Sequence, residues 1–189
     1  FYFLLGSILA SFFMAWVDRS LKGESIVNPP SHCDHCGTRL SWVSLIPVIG
    51  YIILGGKCRI CKKKVPIIYP IGEAILGCFY VLVFITQGHE ISVYFYMIVG
   101  TVLFVASYMD MQTLEIYDIF SLVILPVGVI CYIIKGELSD FLWAILFSGI
   151  IFLIFYLISK FYKNGSGFGE GDSLLMSAVC FFLAFPSGI

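Results

Sequence analysis

The sequence predicts an all-α protein that crosses a membrane several times and carries one small cysteine-rich segment. Of its 189 residues, 60% are hydrophobic and only 12% are charged, about half of the roughly 25% charged residues that soluble domains contain. The mean hydropathy is +0.99. Most of the long apolar runs approach the ~20 residues that a helix needs to cross the hydrocarbon core. We therefore expect a polytopic bundle of about six transmembrane helices.

The expected spans follow the apolar runs, with polar loops between them. The runs are residues 1–17, 67–86, 91–109, 119–134, 141–159 and 173–185. A further apolar stretch, 45–54, contains Pro47 and Gly50 and is too short to span, so we expect an interfacial or packed segment.

Three regions are expected along the chain. A first transmembrane helix at 1–17 precedes a cysteine-rich segment at 18–66, and a transmembrane core follows at 67–189. The chain begins with Phe1 and stops just after an apolar run, so we expect a piece of a longer protein with parts missing at both ends, including a C-terminal part of the bundle.

Lysine and arginine residues predict the orientation, because they are enriched in cytoplasmic loops. The segment 18–66 holds eight of the 11 basic residues, namely Arg19, Lys22, Arg39, Lys57, Arg59, Lys62, Lys63 and Lys64. With this segment inside, alternate crossing leaves only Lys135 outside. The same orientation brings Asp110, at the end of one span, and Asp172, at the start of another, to the cytoplasmic face.

Two aspartates at one membrane depth can form a pair that hydrolyses peptide bonds. Neighbouring carboxyl groups share a proton, so one can activate a water while the other donates to the scissile carbonyl oxygen. Gly169 and Gly171 flank Glu170 just before Asp172 and would leave room for an extended substrate strand. The sequence therefore predicts Asp110 and Asp172 as catalytic residues, with Gly169 and Gly171 as motif glycines at the active site.

Simpler explanations of the two aspartates remain open from the residues alone. Asp172 is also a suitable N-cap for the following helix, and Asp110 could be a solvated helix end. Asp118 competes with Asp110 for the first catalytic position, whereas Glu115 and Glu170 lie nearer the solvent.

Two Cys-x-x-Cys pairs, CDHC at 33–36 and CRIC at 58–61, predict a metal site. Two such pairs together form a closed tetrahedral zinc site, which is structural because it leaves no open position. Disulfides or redox thiols are the alternative, and the expected reducing cytoplasm disfavours disulfides. The expected ligands are Cys33, Cys36, Cys58 and Cys61, with His32 and His35 as weaker candidates.

Other function classes compete with a protease at this point. A transporter or channel predicts acids near the bilayer midplane, whereas the acids here cluster at one interface, apart from Glu73 near the start of its span. A non-enzymatic scaffold with a zinc module would tolerate the loss of Asp110 and Asp172. The net charge of −1 does not point to nucleic acid, and we expect no such partner.

Four stretches in register resemble the type IV prepilin peptidases, and the resemblance covers nearly the whole chain. ASFFMAWVDR at 10–19 is similar to the first-helix motif of the family, and 33–73 is similar to its zinc segment with the L-I-P, G-K-C-R-x-C and Y-P-x-x-E elements. MDMQTLEIYD at 109–118 resembles the first catalytic motif, and GEGD at 169–172 matches the second, G-x-G-D.

This resemblance implies a function. Asp110 and Asp172 match the catalytic aspartates, Asp118 matches the acidic residue that closes the first motif, and the four cysteines match the metal ligands. Such enzymes remove a short basic leader from prepilins or pseudopilins at the cytoplasmic face of the bacterial membrane. They serve pilus, secretion or competence systems. Many then methylate the new N-terminus with S-adenosylmethionine.

A few positions of this chain differ from the usual pattern of that family, and other features distinguish the chain from related protease families. Met14, Ala10 and Tyr117 stand where the family usually has asparagine, glycine and proline, and the first two lie in the half to which methylation is tied. Presenilin-like and signal-peptide-peptidase-like proteases also carry G-x-G-D but lack the cysteine segment. The basic stretch KCRICKKK at 57–64 would repel a basic leader, so we expect it to bind membrane lipid headgroups.

Overall fold

Helices make up the regular structure in the part of the chain that the computed structural model describes, residues 1–115, 117–135, 138–161 and 170–184. The helices are α1 (Tyr2–Lys22), a 3₁₀ helix (Trp42–Leu45), α2 (Ile49–Ile53), α3 (Ile68–Gln87), α4 (Ser92–Thr113), α5 (Ile119–Lys135), α6 (Leu138–Phe161) and α7 (Glu170–Leu183). They form two compact units, Phe1–Val93 and Tyr94–Ile189.

The all-α polytopic class predicted from the sequence is confirmed. Among the described residues, four helices are long and apolar enough to cross a membrane, namely α1, α3, α4 and α6. Two more of the expected spans are present as shorter apolar helices, α5 with 17 residues and α7 with 14. The apolar stretch 45–54 contributes α2 and the end of the 3₁₀ helix, both too short to span.

The first helix is longer than its apolar run, because its polar end is well stabilised. α1 continues past residue 17 to Lys22, and Arg19 and Lys22 complement the negative end of the helix dipole. Gly23 then takes a left-handed conformation with φ of 69°, and its N–H donates to Ser20 O. The irregular part of the cysteine-rich segment therefore begins only after Lys22, one helical turn beyond the end of the apolar run.

In the first unit, α1 and α3 run antiparallel in close backbone contact. A Cβ atom on Gly6 would lie 2.6 Å from the Leu76 carbonyl oxygen and 3.0 Å from the Gly77 Cα atom. The fully buried Ser7 hydroxyl donates a hydrogen bond of 2.9 Å to the Glu73 carbonyl oxygen. Small residues of this kind allow membrane helices to approach each other and exchange hydrogen bonds.

In the second unit, α7 lies at the centre of the packing. Two clusters join it to its neighbours: Val99 and Ile124 with Ala178 and Phe182, and Cys131, Tyr132 and Ala144 with Phe181. Gly128 makes room for one of these rings, since a Cβ atom there would lie 2.9 Å from Phe181. The helix that begins at the G-x-G-D motif is thus held on several sides by α4, α5 and α6.

The contact between α1 and α3 gives a first prediction. We expect Gly6→Ala to destabilise the protein by about 1–3 kcal/mol, because the added methyl group meets backbone atoms that cannot rotate away. Gly149→Ala, in α6 with nothing within 4 Å of an added Cβ atom, is the matched control and should be neutral or slightly stabilising. Thermal unfolding in detergent measures both. Equal stability of the two variants would contradict the close contact.

Candidate functional site

Each Cys-x-x-Cys pair lies in a tight turn closed by backbone hydrogen bonds. In the first turn Gly37 N donates to Cys33 O at 2.8 Å, and in the second Lys62 N donates to Cys58 O at 3.1 Å. Gly37 and Lys62 occupy equivalent positions with φ of 67° and 60°. The two turns therefore share one backbone conformation, in which the side chains of each pair project to one side.

The two turns bring the four predicted cysteine ligands together. All four Sγ atoms lie within 4.8 Å of one another. The Cys33–Cys61 and Cys36–Cys58 sulfur pairs are 3.8 and 3.9 Å apart, whereas a disulfide bond is about 2.05 Å long. Tetrahedral coordination with metal–sulfur bonds of about 2.3 Å places sulfurs roughly 3.8 Å apart. The four cysteines could therefore hold a metal ion.

The pKa shifts of the cysteine thiols also favour the binding of a cation. Hydrogen bonding with Thr38 lowers the pKa of Cys36 to about 6, and the backbone N–H of Cys61 lowers the pKa of Cys58. For Cys61, a hydrogen bond from the Lys63 backbone favours the thiolate, but burial and the neighbouring sulfurs outweigh it and raise the pKa to about 11. The thiolate forms of Cys36 and Cys58 are thus favoured, whereas the neighbouring sulfurs disfavour the thiolate of Cys61. A bound divalent cation would stabilise all of these thiolates.

The two histidines near the first turn lie outside this sulfur cluster. Within the described residues the group of potential metal ligands comprises the four cysteines and includes neither His32 nor His35. The His32 ring nitrogen Nδ1 instead lies 3.1 Å from the Pro30 carbonyl oxygen.

The two predicted catalytic aspartates lie in helices of the second unit. Asp110 is in the last turn of α4, where Leu114 N donates to its carbonyl oxygen at 2.8 Å. Asp172 is the third residue of α7, which begins at Glu170. It therefore lies inside the helix and not at the N-cap position. Both aspartates are partly buried.

The register of α4 against α7 places both aspartates at one end of this unit. The rings of Tyr96 and Phe182 are 5.1 Å apart, and the first half of α4 packs on the second half of α7. At 1.5 Å per residue, Asp110 lies about 21 Å from Tyr96 along its helix, and Asp172 lies about 15 Å from Phe182 along the antiparallel helix. Their heights thus differ by roughly one helical turn, and the catalytic pair itself stays a prediction.

The remaining candidate residues of the two motifs have different positions. Gly171 is partly buried in the first turn of α7, whereas Gly169 lies outside the described residues. Asp118, the competitor of Asp110, is exposed immediately before α5, and Glu115 is also exposed.

Two buried serines near this end were missed by the sequence analysis. Ser121 in α5 and Ser173 in α7 are fully buried, and neither hydroxyl has a hydrogen-bond partner among the described residues. The signal for Ser173 was its position directly after Asp172. Buried hydroxyls without a partner are uncommon in proteins, so these two differ from the other buried hydroxyls of the bundle, such as Thr101 and Ser177, which donate to backbone carbonyl oxygens.

A large cavity in the first unit was also missed. It has a volume of about 960 Å³ and is lined by α1, the cysteine-rich segment and the start of α3. Seven lysine and arginine side chains from residues 19–64 line it. Four acidic side chains do so as well, namely Asp18, Glu24, Asp34 and Glu73. No local pattern predicts such a space, because its walls come from elements far apart in sequence.

These features together define a polytopic membrane protein with a segment whose four cysteines could hold a metal and with a helix that carries Asp172, the features expected of a membrane peptidase. Two family models match the chain in this order. Residues 4–87 match the "Bacterial Peptidase A24 N-terminal domain", and residues 97–189 match the "Type IV leader peptidase family". The chain belongs to the type IV prepilin peptidase family.

Curated relatives agree with this assignment. The "Prepilin leader peptidase/N-methyltransferase" of Bacillus subtilis is 25% identical over 96% of this chain and 72% of its own length. The enzyme of the same name from Klebsiella pneumoniae is 24% identical over 99% of this chain and 86% of its own length. The "Type 4 prepilin-like proteins leader peptide-processing enzyme" of Escherichia coli is 28% identical over 82% of this chain and 59% of its own length. No solved structure matches the chain significantly.

The sulfur cluster gives the second prediction. We expect the purified protein to carry one metal ion per chain, and Cys36→Ser to lose it, because a tetrahedral site with three thiolates binds far more weakly. Cys78→Ser is the matched control, since Cys78 is exposed in α3 outside the cluster. Elemental analysis after dialysis measures the metal content. Retention of metal by Cys36→Ser would contradict a four-sulfur site.

Proposed function

We propose that this chain is an aspartic endopeptidase that removes the leader peptide from type IV prepilins or pseudopilins. The observation that carries the proposal is the position of Asp110 and Asp172 on two helices whose side chains meet at Tyr96 and Phe182, a register that brings both aspartates toward one end of the second unit. The family assignment and the names of the relatives support it.

The proposed chemistry uses the two carboxyl groups as one acid–base pair. One aspartate is ionised and takes a proton from water, and the other is protonated and donates to the carbonyl oxygen of the scissile bond. The resulting tetrahedral intermediate collapses when the proton passes to the leaving amine. The partial burial of both side chains supports this assignment, because burial favours one shared proton over two ionised carboxylates.

We place the reaction at the cytoplasmic side of a bacterial membrane. The basic residues of 18–66 support this orientation through the positive-inside rule. Under this orientation the ends of α4 and α7 that carry the aspartates also face the cytoplasm. The leader of the substrate is accessible on that side while the substrate is still in the membrane.

We propose zinc as the metal of the cysteine cluster, with a structural role. Four sulfur ligands at tetrahedral spacing are the donor set that zinc prefers, and they leave no coordination position for a substrate. The bound ion would supply a crosslink between the turns at 33–37 and 58–62. The residues that hold it are Cys33, Cys36, Cys58 and Cys61.

We propose membrane lipids as partners of the second cysteine turn. Lys57, Arg59, Lys62, Lys63 and Lys64 are all exposed, with no acidic residue among them. Ile60 in the same turn is 64% exposed. Basic side chains around an apolar one suit an anionic lipid surface better than a basic leader peptide.

We propose methylation of the newly formed N-terminus as a second activity, with S-adenosylmethionine as the methyl donor. The names of the relatives support it. The cavity of about 960 Å³ also supports it, since small-molecule sites range over roughly 300–1,000 Å³. When bound, the donor would supply an electrophilic methyl group to the amine. In the cavity, Trp16 and Tyr69 offer rings and Asp18 and Glu73 offer carboxylates for a cationic ligand.

The catalytic pair gives the third prediction. We expect Asp110→Asn and Asp172→Asn each to lower leader cleavage by at least ~10²-fold, because asparagine keeps the size of aspartate but cannot share a proton. The measurement is the gel shift of a co-expressed prepilin. Asp118→Asn is the control, and we expect it to retain most of the cleavage. Normal cleavage by Asp110→Asn together with its loss in Asp118→Asn would move the first catalytic position to Asp118.

The second activity gives the fourth prediction. We expect the purified chain to add one methyl group to the N-terminus of the cleaved substrate when S-adenosylmethionine is present, which mass spectrometry detects. Asp172→Asn should still methylate a substrate supplied already cleaved, because the cavity is lined entirely by residues of the first unit. A chain that cleaves its substrate but never methylates it would refute the second activity and leave the peptidase intact.

A further inference from the structure

Glu73 is a buried carboxylate that neither the peptidase reaction nor the metal site uses. It lies in α3, one of the helices long enough to span a membrane, and its residue is 8% exposed. It also lines the cavity of the first unit. An ionisable side chain within a spanning segment is costly, so its presence there points to a function.

The protein satisfies only part of the hydrogen-bonding capacity of this carboxylate. Its Oε2 atom accepts a hydrogen bond of 2.7 Å from the backbone N–H of Val48. Within the described part of the chain no other group donates to the carboxylate, although an ionised carboxylate offers about four acceptor sites. The remaining acceptor sites of Glu73 are therefore available to a molecule in the cavity.

The contact with Val48 holds the carboxylate in place through a strained turn. Val48 has φ of 61° and ψ of −54°, and Ile49 N donates to Pro47 O at 2.6 Å. These values describe the rarer form of the γ-turn, which is strained, and a β-branched residue with positive φ is an outlier. Such strain persists only where the surroundings impose it and often marks functional sites.

The backbone of Glu73 is held as firmly as its side chain. Its carbonyl oxygen accepts the hydrogen bond of the buried Ser7 hydroxyl from α1. The residue is thus fixed by α1 on its backbone and by the γ-turn on its carboxylate. A group held in this way keeps one orientation, which is the requirement for an anchor that binds a charged ligand.

The α3 wall of the cavity carries an acidic side chain and no basic one. The wall that α3 contributes consists of Tyr69, Pro70 and Glu73, with no basic side chain, whereas all seven basic side chains belong to residues 19–64. The Tyr69 hydroxyl also donates to Asp18 at 2.7 Å, which brings a second carboxylate to this wall. The other walls carry both signs, since Glu24 and Asp34 lie among the basic side chains and Asp34 pairs with Lys22 at 3.1 Å. The α3 wall is therefore the one that favours a positive group.

We propose that Glu73 is the residue that binds the positively charged groups of the methyl donor in this cavity. The proposal rests on the methylation proposed above. The amino-acid part of S-adenosylmethionine carries a sulfonium, an ammonium and a carboxylate group, so it matches a cavity with an acidic wall and basic side chains elsewhere. A buried carboxylate binds a cation strongly, because water does not screen the pair.

Equilibrium dialysis with radiolabelled S-adenosylmethionine tests this assignment on the whole chain in lipid nanodiscs. We expect Glu73→Gln to weaken donor binding about 10- to 100-fold, the range for loss of a charged hydrogen-bonded contact. The glutamine oxygen can still accept the Val48 N–H, so the turn is retained. S-adenosylhomocysteine, whose sulfur is neutral, should lose less affinity in the same variant. A purely structural role of Glu73 would reduce the binding of both ligands equally.

Two further variants control for folding and for general charge effects. Glu24→Gln removes a negative charge from an exposed position of the same cavity, and we expect its donor affinity to stay within about twofold of the wild type. Val48→Gly tolerates the positive φ without strain, so the double variant Glu73→Gln with Val48→Gly should fold even where Glu73→Gln alone does not. We expect that double variant to bind the donor as weakly as Glu73→Gln.

The outcomes separate this inference from the methylation on which it rests. Equal donor binding by the wild type and by either Glu73→Gln variant would overturn the role of Glu73 and leave the second activity standing. Absence of donor binding in the wild type would overturn both. Leader cleavage, measured in the same preparations, should stay at the wild-type level throughout, because the aspartates belong to the other unit.

Discussion

The antiparallel contact between α1 and α3 is the constraint on which the N-terminal unit depends. Gly6 and Gly77 let the two backbones meet, and the stacked rings of Tyr2 and Phe84 at 4.3 Å continue the contact to the far end. This contact brings together the ends of the long segment between the two helices. The segment can then bring its four cysteines together and line an open cavity, because its two points of attachment are already adjacent.

The polar groups inside this unit connect its helices to one another. The Asp18–Tyr69 and Ser7–Glu73 contacts join α1 to α3, and the Glu73–Val48 contact joins α3 to the start of α2. A buried polar group is costly unless it is hydrogen-bonded. Each of these groups forms a hydrogen bond that offsets the cost of its burial and fixes the position of a neighbouring element. The carboxylate of Glu73 can still accept further hydrogen bonds.

The two aspartates of the C-terminal unit are far apart in sequence, so only the packing of its helices can bring them to the same end. α7 is surrounded by α4, α5 and α6 through the clusters around Phe181 and Phe182. The antiparallel register of α4 and α7 then carries Asp110 and Asp172 to the same end. Gly171, directly before Asp172, has no side chain and takes up little space in the first turn of α7.

Hydropathy and residue spacing alone predicted the class of this protein, the positions of its apolar helices and the four clustered cysteines, and the resemblance to a known family predicted the catalytic motifs. These features are local: an apolar run forms a helix wherever it lies in a membrane, and Cys-x-x-Cys pairs project their sulfurs from one turn. Only the tertiary structure decided the γ-turn at Val48, the contact of Glu73 and the cavity. Each of these arises where residues distant in sequence meet, and no local periodicity records which distant residues will be neighbours.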